Sequence, residues 1–310
     1  MSQDIKEEIS RRAEAINILL EKYLPKEQGE QIRVAEAMNY SVRVGGKRIR
    51  PMLMEETYRY FARNTDSLSA EEAKVLEPFM AALEMIHTYS LVHDDLPAMD
   101  GDEYRRGNQT TWKKYGEAEA ILAGDGLLNY AYETAAKSWK NITTDGKIPL
   151  SSVLKAYEIL TQKPGISGMI GGQAIDVQNC DKPLSLEMLD EINRLKTSAL
   201  MEASMMNGAA LAGAGDCELA KIEKSASCLG MAFQIQDDIL DVTSTTKELG
   251  KPVGSDEKNH KTTYVSLLGI EKAKEQVAAL SMEAIRYIKE CKGENPFLVP
   301  FIEYHIHRTK

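Results

Sequence analysis

Apolar residues along this chain recur at helical spacing and rarely alternate. Between Glu77 and His93, the positions Phe79, Leu83, Ile86 and Ser90 fall at i, i+4, i+7 and i+11. That spacing predicts a helix with one largely apolar face. Further helices are expected from Ala118 to Lys140, Ser185 to Leu211, Cys217 to Val242 and Lys272 to Cys291. Ser185 is placed to cap the second of these, with Leu186 to Ile192 forming its first turns. No series of alternating β-branched runs with hairpin turns is present. Breakers separate the helices: Gly45-Gly46 with Pro51, the polar stretch from Thr143 to Pro149, Asp181-Lys182-Pro183, and a charged segment from Gly250 to Lys261. No linker-like composition shift and no repeat of 20–50 residues divides the chain. The expectation is one all-α domain over residues 1–310.

Composition narrows the class. Hydrophobic residues make up 43% of the chain and charged residues 27%, with a net charge of -9. An acidic balance argues against nucleic acid as a partner. The four cysteines Cys180, Cys217, Cys228 and Cys291 form no CxxC pair and no zinc-ribbon spacing. The first residues carry no apolar stretch of signal-peptide length, and no run of about 18 apolar residues suggests a membrane span. A cytoplasmic protein is expected.

Two acidic constellations change the picture. The first is His93-Asp94-Asp95-Leu96-Pro97-Ala98-Met99-Asp100, at the end of an apolar helix. An ideal helix would place Asp100 about 120° from Asp94. A loop or bulge at Pro97 could return it to the same ion. The second is Gln234-Ile235-Gln236-Asp237-Asp238-Ile239-Leu240-Asp241. There a straight helix gathers Asp237, Asp238, Asp241 and Gln234 within about 100° of arc. Ile235, Ile239 and Val242 point the other way, so one face should be acidic and the other should pack in the core. A single Asp-Asp pair is usually a solvated surface. Two triplets, each flanked by apolar residues, point instead to hard-cation sites. Carboxylates suit Mg²⁺, which takes one or two of them together with substrate phosphates.

Basic clusters accompany both triplets: Lys47-Arg48-Ile49-Arg50 after two glycines, Arg105-Arg106-Gly107, Lys196-Thr197, and Lys251 with Lys261-Thr262-Thr263. Arginine offers bidentate donors to phosphate oxygens and lysine a point charge. Together with two cation sites they suit a pair of diphosphates. No GxxxxGK[ST] loop is present, which argues against P-loop chemistry.

These segments resemble the trans-isoprenyl diphosphate synthases. The motifs are GGKRIRP, HDDLPAMD followed by RRG, GMIGGQAID, Lys196-Thr197, and FQIQDDILD followed by GKPVGSDEKNHKTTYV. The match runs from about Gly45 to Tyr264 and is nearest to the bacterial farnesyl-forming members. Gly101, Asn108-Gln109 and Gly126 depart from the family pattern. The resemblance implies helices around a deep central cavity, a homodimer, and three Mg²⁺ ions. It implies that Asp94 and Asp100 bind metal from one side and Asp237, helped by Asp241, from the other. Asp95 and Asp238 complete the candidate metal set. It assigns Lys47, Arg50, His87 and Arg106 to isopentenyl diphosphate. Arg105, Lys196, Thr197, Gln234, Lys251 and Lys261 are assigned to the allylic diphosphate, with Arg105, Lys196 and Lys251 stabilising the leaving group.

The resemblance also implies product length. Tyr89 lies five residues before Asp94, about 7.5 Å down the helix, at the position assigned to the chain-length gate. An aromatic there resembles farnesyl-forming enzymes. Ideal helix angles instead put Ser90 nearer the direction of Asp94. The expected activity is (E,E)-farnesyl diphosphate synthesis from C5 and C10 precursors. The alternatives are a geranylgeranyl diphosphate synthase, a non-catalytic partner subunit, a terpene cyclase of similar fold, and a metal-binding structural protein.

Overall fold

The computed structural model describes residues 2–63, 68–143, 146–180, 182–243 and 262–306. The charged segment from Gly250 to Lys261, with Lys251 and Lys261, lies outside the described residues.

The expected helices are present with altered ends. The apolar run forms α4 (Ala70–Asp94), which starts earlier than its periodicity suggested because Ser69 and Glu72 make a reciprocal capping box. Before it come α1 (Ser2–Tyr23), α2 (Ile32–Arg43) and α3 (Ile49–Ala62). After it come α5 (Thr111–Tyr115), α6 (Glu117–Ala136), α7 (Leu150–Gln162) and α8 (Met169–Gln178). The second half holds α9 (Leu186–Asn193), α10 (Ala199–Leu211), α11 (Asp216–Thr243), α12 (Tyr264–Leu268), α13 (Ile270–Lys289) and α14 (Leu298–Ile306).

The expectation of one apolar face on α4 needs correction. Every residue from Phe79 to Ile86 is buried. This is a central helix, packed against α1, α2, α3, α6 and α10, and its polar groups find partners inside. Glu84 pairs with Arg48, Thr88 Oγ1 donates to the Glu84 carbonyl at 2.8 Å, and Ser90 Oγ donates to the His87 carbonyl at 2.9 Å. Helix α10 is buried along its whole length as well, and α11 packs between it and α13. Buried apolar side chains from Ile9 to Ile302 form one contiguous core.

Two local departures from regular helix shape the site. The helix expected from Ser185 to Leu211 is interrupted by a π-turn over Arg194–Ser198, a wider winding common at functional positions. Among the described residues the only strands are β1 (Tyr104–Arg105) and β2 (Asn108–Gln109), a hairpin pairing Tyr104 with Gln109 and Arg105 with Asn108. Its corner residues Arg106 and Gly107 have φ of +53° and +78°. Two positive φ values in a two-residue loop match the twist of the strands they join.

Candidate active site

The first acidic motif closes α4. Beyond Asp95 the chain turns sharply at Pro97. The Met99 amide donates to the Leu96 carbonyl at 2.8 Å, and the Asp100 amide donates to the Asp94 carbonyl at 2.9 Å. Asp100 is thereby folded back towards Asp94, as a loop at Pro97 allowed. The middle aspartate is already engaged: Arg105, presented by β1, grips Asp95 through Nε at 2.9 Å and Nη2 at 2.7 Å. Although burial weakens the Arg105 charge, the Asp95 contact outweighs it and holds the Arg105 pKa above its ordinary value. Arg106, one residue on, turns the other way and donates to the Gly45 carbonyl, beside Lys47.

Asp94 is mostly buried and accepts from Gln173 Nε2 of α8 at 2.9 Å. Burial pushes its pKa up to about 6; Lys196 pulls it down, and the neighbouring charge of Asp100 adds to the rise. A carboxylate kept costly to ionise beside another carboxylate is one that a bound cation would relieve.

The π-turn presents Lys196 and Thr197. Lys196 Nζ donates to Asp176 Oδ2 of α8 at 2.6 Å. Burial opposes its charge, but Asp176, Asp94 and Asp100 together keep its pKa raised. Thr197 Oγ1 donates to Gln234 Oε1 at 3.2 Å, and Gln234 Nε2 donates to Asp238 Oδ1 at 3.1 Å. The Tyr264 amide donates to the other Asp238 oxygen at 2.9 Å. Both Asp238 oxygens therefore serve the scaffold, as Asp95 does in the first motif. The division of α11 into one acidic and one core-packed face also needs correction. Asp238 and Asp241 are themselves buried, whereas Val242 is 46% exposed. Asp237 and Val242 are exposed, and Val242 is the last residue but one of α11.

Below these polar groups lies a cavity of about 750 Å³. Arg50, His87, Asp94, Lys196 and Thr197 line its polar end, while Met169, Ile170, Val177 and Leu200 line apolar wall. Tyr89 and Ser90 both face it, so the residue at the family's gate position and the one favoured by ideal helix angles are both wall residues. The Tyr89 ring meets the His93 ring edge-on at 5.8 Å between centroids. Burial and the surrounding arginines, Arg50 foremost, push His87 well below its ordinary pKa, so it is neutral. Burial likewise lowers Arg50 and Arg106. Lys47 is exposed just before α3, Asp237 is exposed on α11, and Asp237 acts on the charge of Arg50.

Gln173 and Asp176 carry roles that the sequence reasoning did not assign, although the motif containing them stood out. The available signal was Gly171-Gly172 just before them. A Cβ on Gly172 would overlap the Lys196 amide and lie 2.7 Å from Leu195 Cβ. The glycine lets α8 pack directly on the π-turn and brings Asp176 to Lys196.

The donor set suits a hard divalent cation. Among the described residues no three acidic, histidine or cysteine side chains already converge as a cage. Mg²⁺ is typically held by one or two carboxylates plus substrate phosphates, so the carboxylates of Asp94, Asp100, Asp237 and Asp241 are donors of the right kind for that ion.

The chain matches the polyprenyl synthetase family over residues 31–298 and belongs to it. It is 41% identical to a farnesyl diphosphate synthase of Geobacillus stearothermophilus, over 95% of each chain. It is also 41% identical to a geranylgeranyl diphosphate synthase of Cyanophora paradoxa, over 96% of this chain and 94% of that protein. Among solved structures, a geranyltransferase of Helicobacter pylori complexed with magnesium and isoprenyl diphosphate superimposes with a TM-score of 0.79 at 29% identity. That match covers 97% of this chain and 95% of the other. The all-α fold expected from the sequence is therefore the fold of this family.

Proposed function

We propose that this protein is a Mg²⁺-dependent (2E,6E)-farnesyl diphosphate synthase, condensing isopentenyl diphosphate first with dimethylallyl and then with geranyl diphosphate. The observation that carries this reading is the join between the two acidic helices. Lys196 and Thr197 touch the surroundings of both motifs at the polar end of a largely apolar cavity whose wall includes the Tyr89 ring. The matches to farnesyl diphosphate synthases support it.

Asp94, Asp100, Asp237 and Asp241 would hold Mg²⁺, about three ions by family analogy. When bound, the metal supplies Lewis-acid charge at the leaving diphosphate. Lys196, fixed by Asp176, and Arg105, fixed by Asp95, direct positive charge to the same oxygens. Lys251 and Lys261 join them in this reading. The allylic C–O bond breaks and its electron pair leaves with diphosphate. The double bond of isopentenyl diphosphate then attacks the allylic carbon, forming the new C–C bond, and a proton passes from the resulting cation to the departing diphosphate. Arg50, Arg106, Lys47 and neutral His87 hold isopentenyl diphosphate at near-attack distance. The apolar cavity shields the cation from water, and Tyr89 stops the chain at C15.

The protein acts as a single catalytic domain and as a homodimer, located in the cytoplasm. No helix among the described residues is long and apolar enough to cross a membrane.

The test is a product assay with purified protein, Mg²⁺, isopentenyl diphosphate and dimethylallyl diphosphate, followed by dephosphorylation and separation by chain length. A dominant C15 alcohol supports the reading. A C20 alcohol retains the reaction and refutes the role of Tyr89, and no product refutes the enzyme.

A further inference from the structure

Arg48 sits between two residues of the proposed isopentenyl diphosphate pocket, Lys47 and Arg50, yet it turns away from the cavity. Its backbone is left-handed, with φ of +50° and ψ of +34°, a conformation costing a side-chain-bearing residue roughly 1 kcal/mol. The guanidinium compensates by engaging three elements: Nε donates to Asn17 Oδ1 of α1 at 2.9 Å, Nη2 to the Val42 carbonyl at the end of α2 at 2.6 Å, and Nη1 to Glu84 Oε1 of α4 at 2.6 Å. Both members of the Arg48–Glu84 pair are buried, with side chains 4% and 5% exposed.

Glu84 lies one helical turn before His87 and acts on the charges of both Arg50 and Arg106. A buried carboxylate among several guanidinium groups will take one of them as a partner, because leaving it unpaired is costly. Whichever group it takes is lost to a diphosphate. At present Arg50 Nε has no hydrogen-bond partner although it is shut from solvent.

Building on the function proposed above, we infer that Arg48 is a positioning residue that occupies Glu84 and so keeps Arg50 and Arg106 available for isopentenyl diphosphate. The left-handed backbone aims Arg48 inward, where it absorbs the carboxylate without contributing to substrate. Without Arg48, Glu84 recruits Arg50 or Arg106 and the isopentenyl diphosphate pocket loses a donor. The allylic side, held by Lys196 and Arg105, is not affected.

The experiment compares steady-state kinetics of the wild-type protein with those of Arg48→Met, Glu84→Gln and the double variant, both substrates being varied in turn. Arg48→Met raises the KM for isopentenyl diphosphate at least tenfold and leaves the allylic KM within about twofold. Glu84→Gln alone stays near wild type. Adding Glu84→Gln to Arg48→Met restores the KM to within about threefold of wild type, because the competing carboxylate is gone. A merely structural role for Arg48 predicts equal losses for both substrates and no rescue, and either result overturns the inference. Should Arg48→Met fail to fold, Arg48→Lys is measured instead. A smaller rise confined to isopentenyl diphosphate then supports the inference, and an even rise or none overturns it. A wild-type protein without turnover overturns the proposed function itself, whereas active wild type with the wrong variant pattern overturns only the role of Arg48.

Discussion

Asp94 ties the stability of the metal-free protein to pH in a direction opposite to that of most carboxylates. Its folded pKa of about 6 stands above its ordinary value of 3.8. Between those values the folded state binds more protons at this site than the unfolded state. Stability from this group therefore rises as pH falls through 6 and levels off below about 4. The full linkage is about 3 kcal/mol, from roughly two pH units at 1.36 kcal/mol each. About 1.4 kcal/mol of it falls between pH 7 and pH 5. For a chain of this length that is roughly a 2 °C rise in melting temperature. Other groups titrate in the same window, so the informative quantity is the difference between wild type and Asp94→Asn. Thermal unfolding in chelator at pH 7 and pH 5 should show Asp94→Asn more stable than wild type at pH 7, with the gap narrowing at pH 5. Mg²⁺ with inorganic pyrophosphate should stabilise wild type most at the higher pH, where no proton must be displaced. A gap that is constant with pH would show that Asp94 is ionised throughout and that burial does not govern it.

Other substitutions probe the remaining parts of the site. Tyr89→Ala removes the ring at the cavity wall, and each further C5 unit buries carbons worth roughly 0.8 kcal/mol apiece; products should lengthen to C20 and beyond in the chain-length assay, and an unchanged C15 product would discount the gate. Gly172→Ala drives a methyl into the π-turn at Leu195 and Lys196, an overpacking cost of about 1–3 kcal/mol. It should raise the allylic KM about tenfold or more while the isopentenyl diphosphate KM moves little. Gly124→Ala would push on the His93 ring and through it on Tyr89; the product spectrum should shift, measured against a melting temperature that reports any general loss of packing.

Much of the site was legible in the chain because its residues lie close together in sequence. Asp94 and Asp100 are joined by a short loop, and Pro97 alone suggested the turn that returns one to the other. Tyr89 and Ser90 share the helix of the first motif, so both reach the cavity. What was not legible depended on partners far along the chain. The acidic side chains look equivalent within each triplet, but Arg105 engages Asp95, and the Tyr264 amide, 26 residues beyond Asp238, engages that carboxylate. The burial of α4 all round was hidden because the periodicity of Phe79, Leu83, Ile86 and Ser90 marks a single face, while Glu84 and Thr88 lie off it and are satisfied inside by Arg48 and by the Glu84 carbonyl. The hairpin escaped notice because two residues per strand are too few to alternate. Arg106-Gly107 was its only signal.

The π-turn at Arg194–Ser198 makes this stretch sensitive to length rather than to composition. A π-turn holds one residue more than a regular turn, so a single deletion there would let α9 and α10 join as one continuous helix. The closed-up helix would be regular and well bonded, but everything before the deletion would rotate by about 100° relative to α10. Asp190 would swing away from the Tyr264 hydroxyl, which now donates to it at 2.6 Å, and Lys196 would leave Asp176. Related proteins can therefore exchange side chains along this helix far more readily than they can lose a residue from it. A designer who idealised the backbone would remove the irregularity that brings Lys196 to Asp176 at the cavity wall.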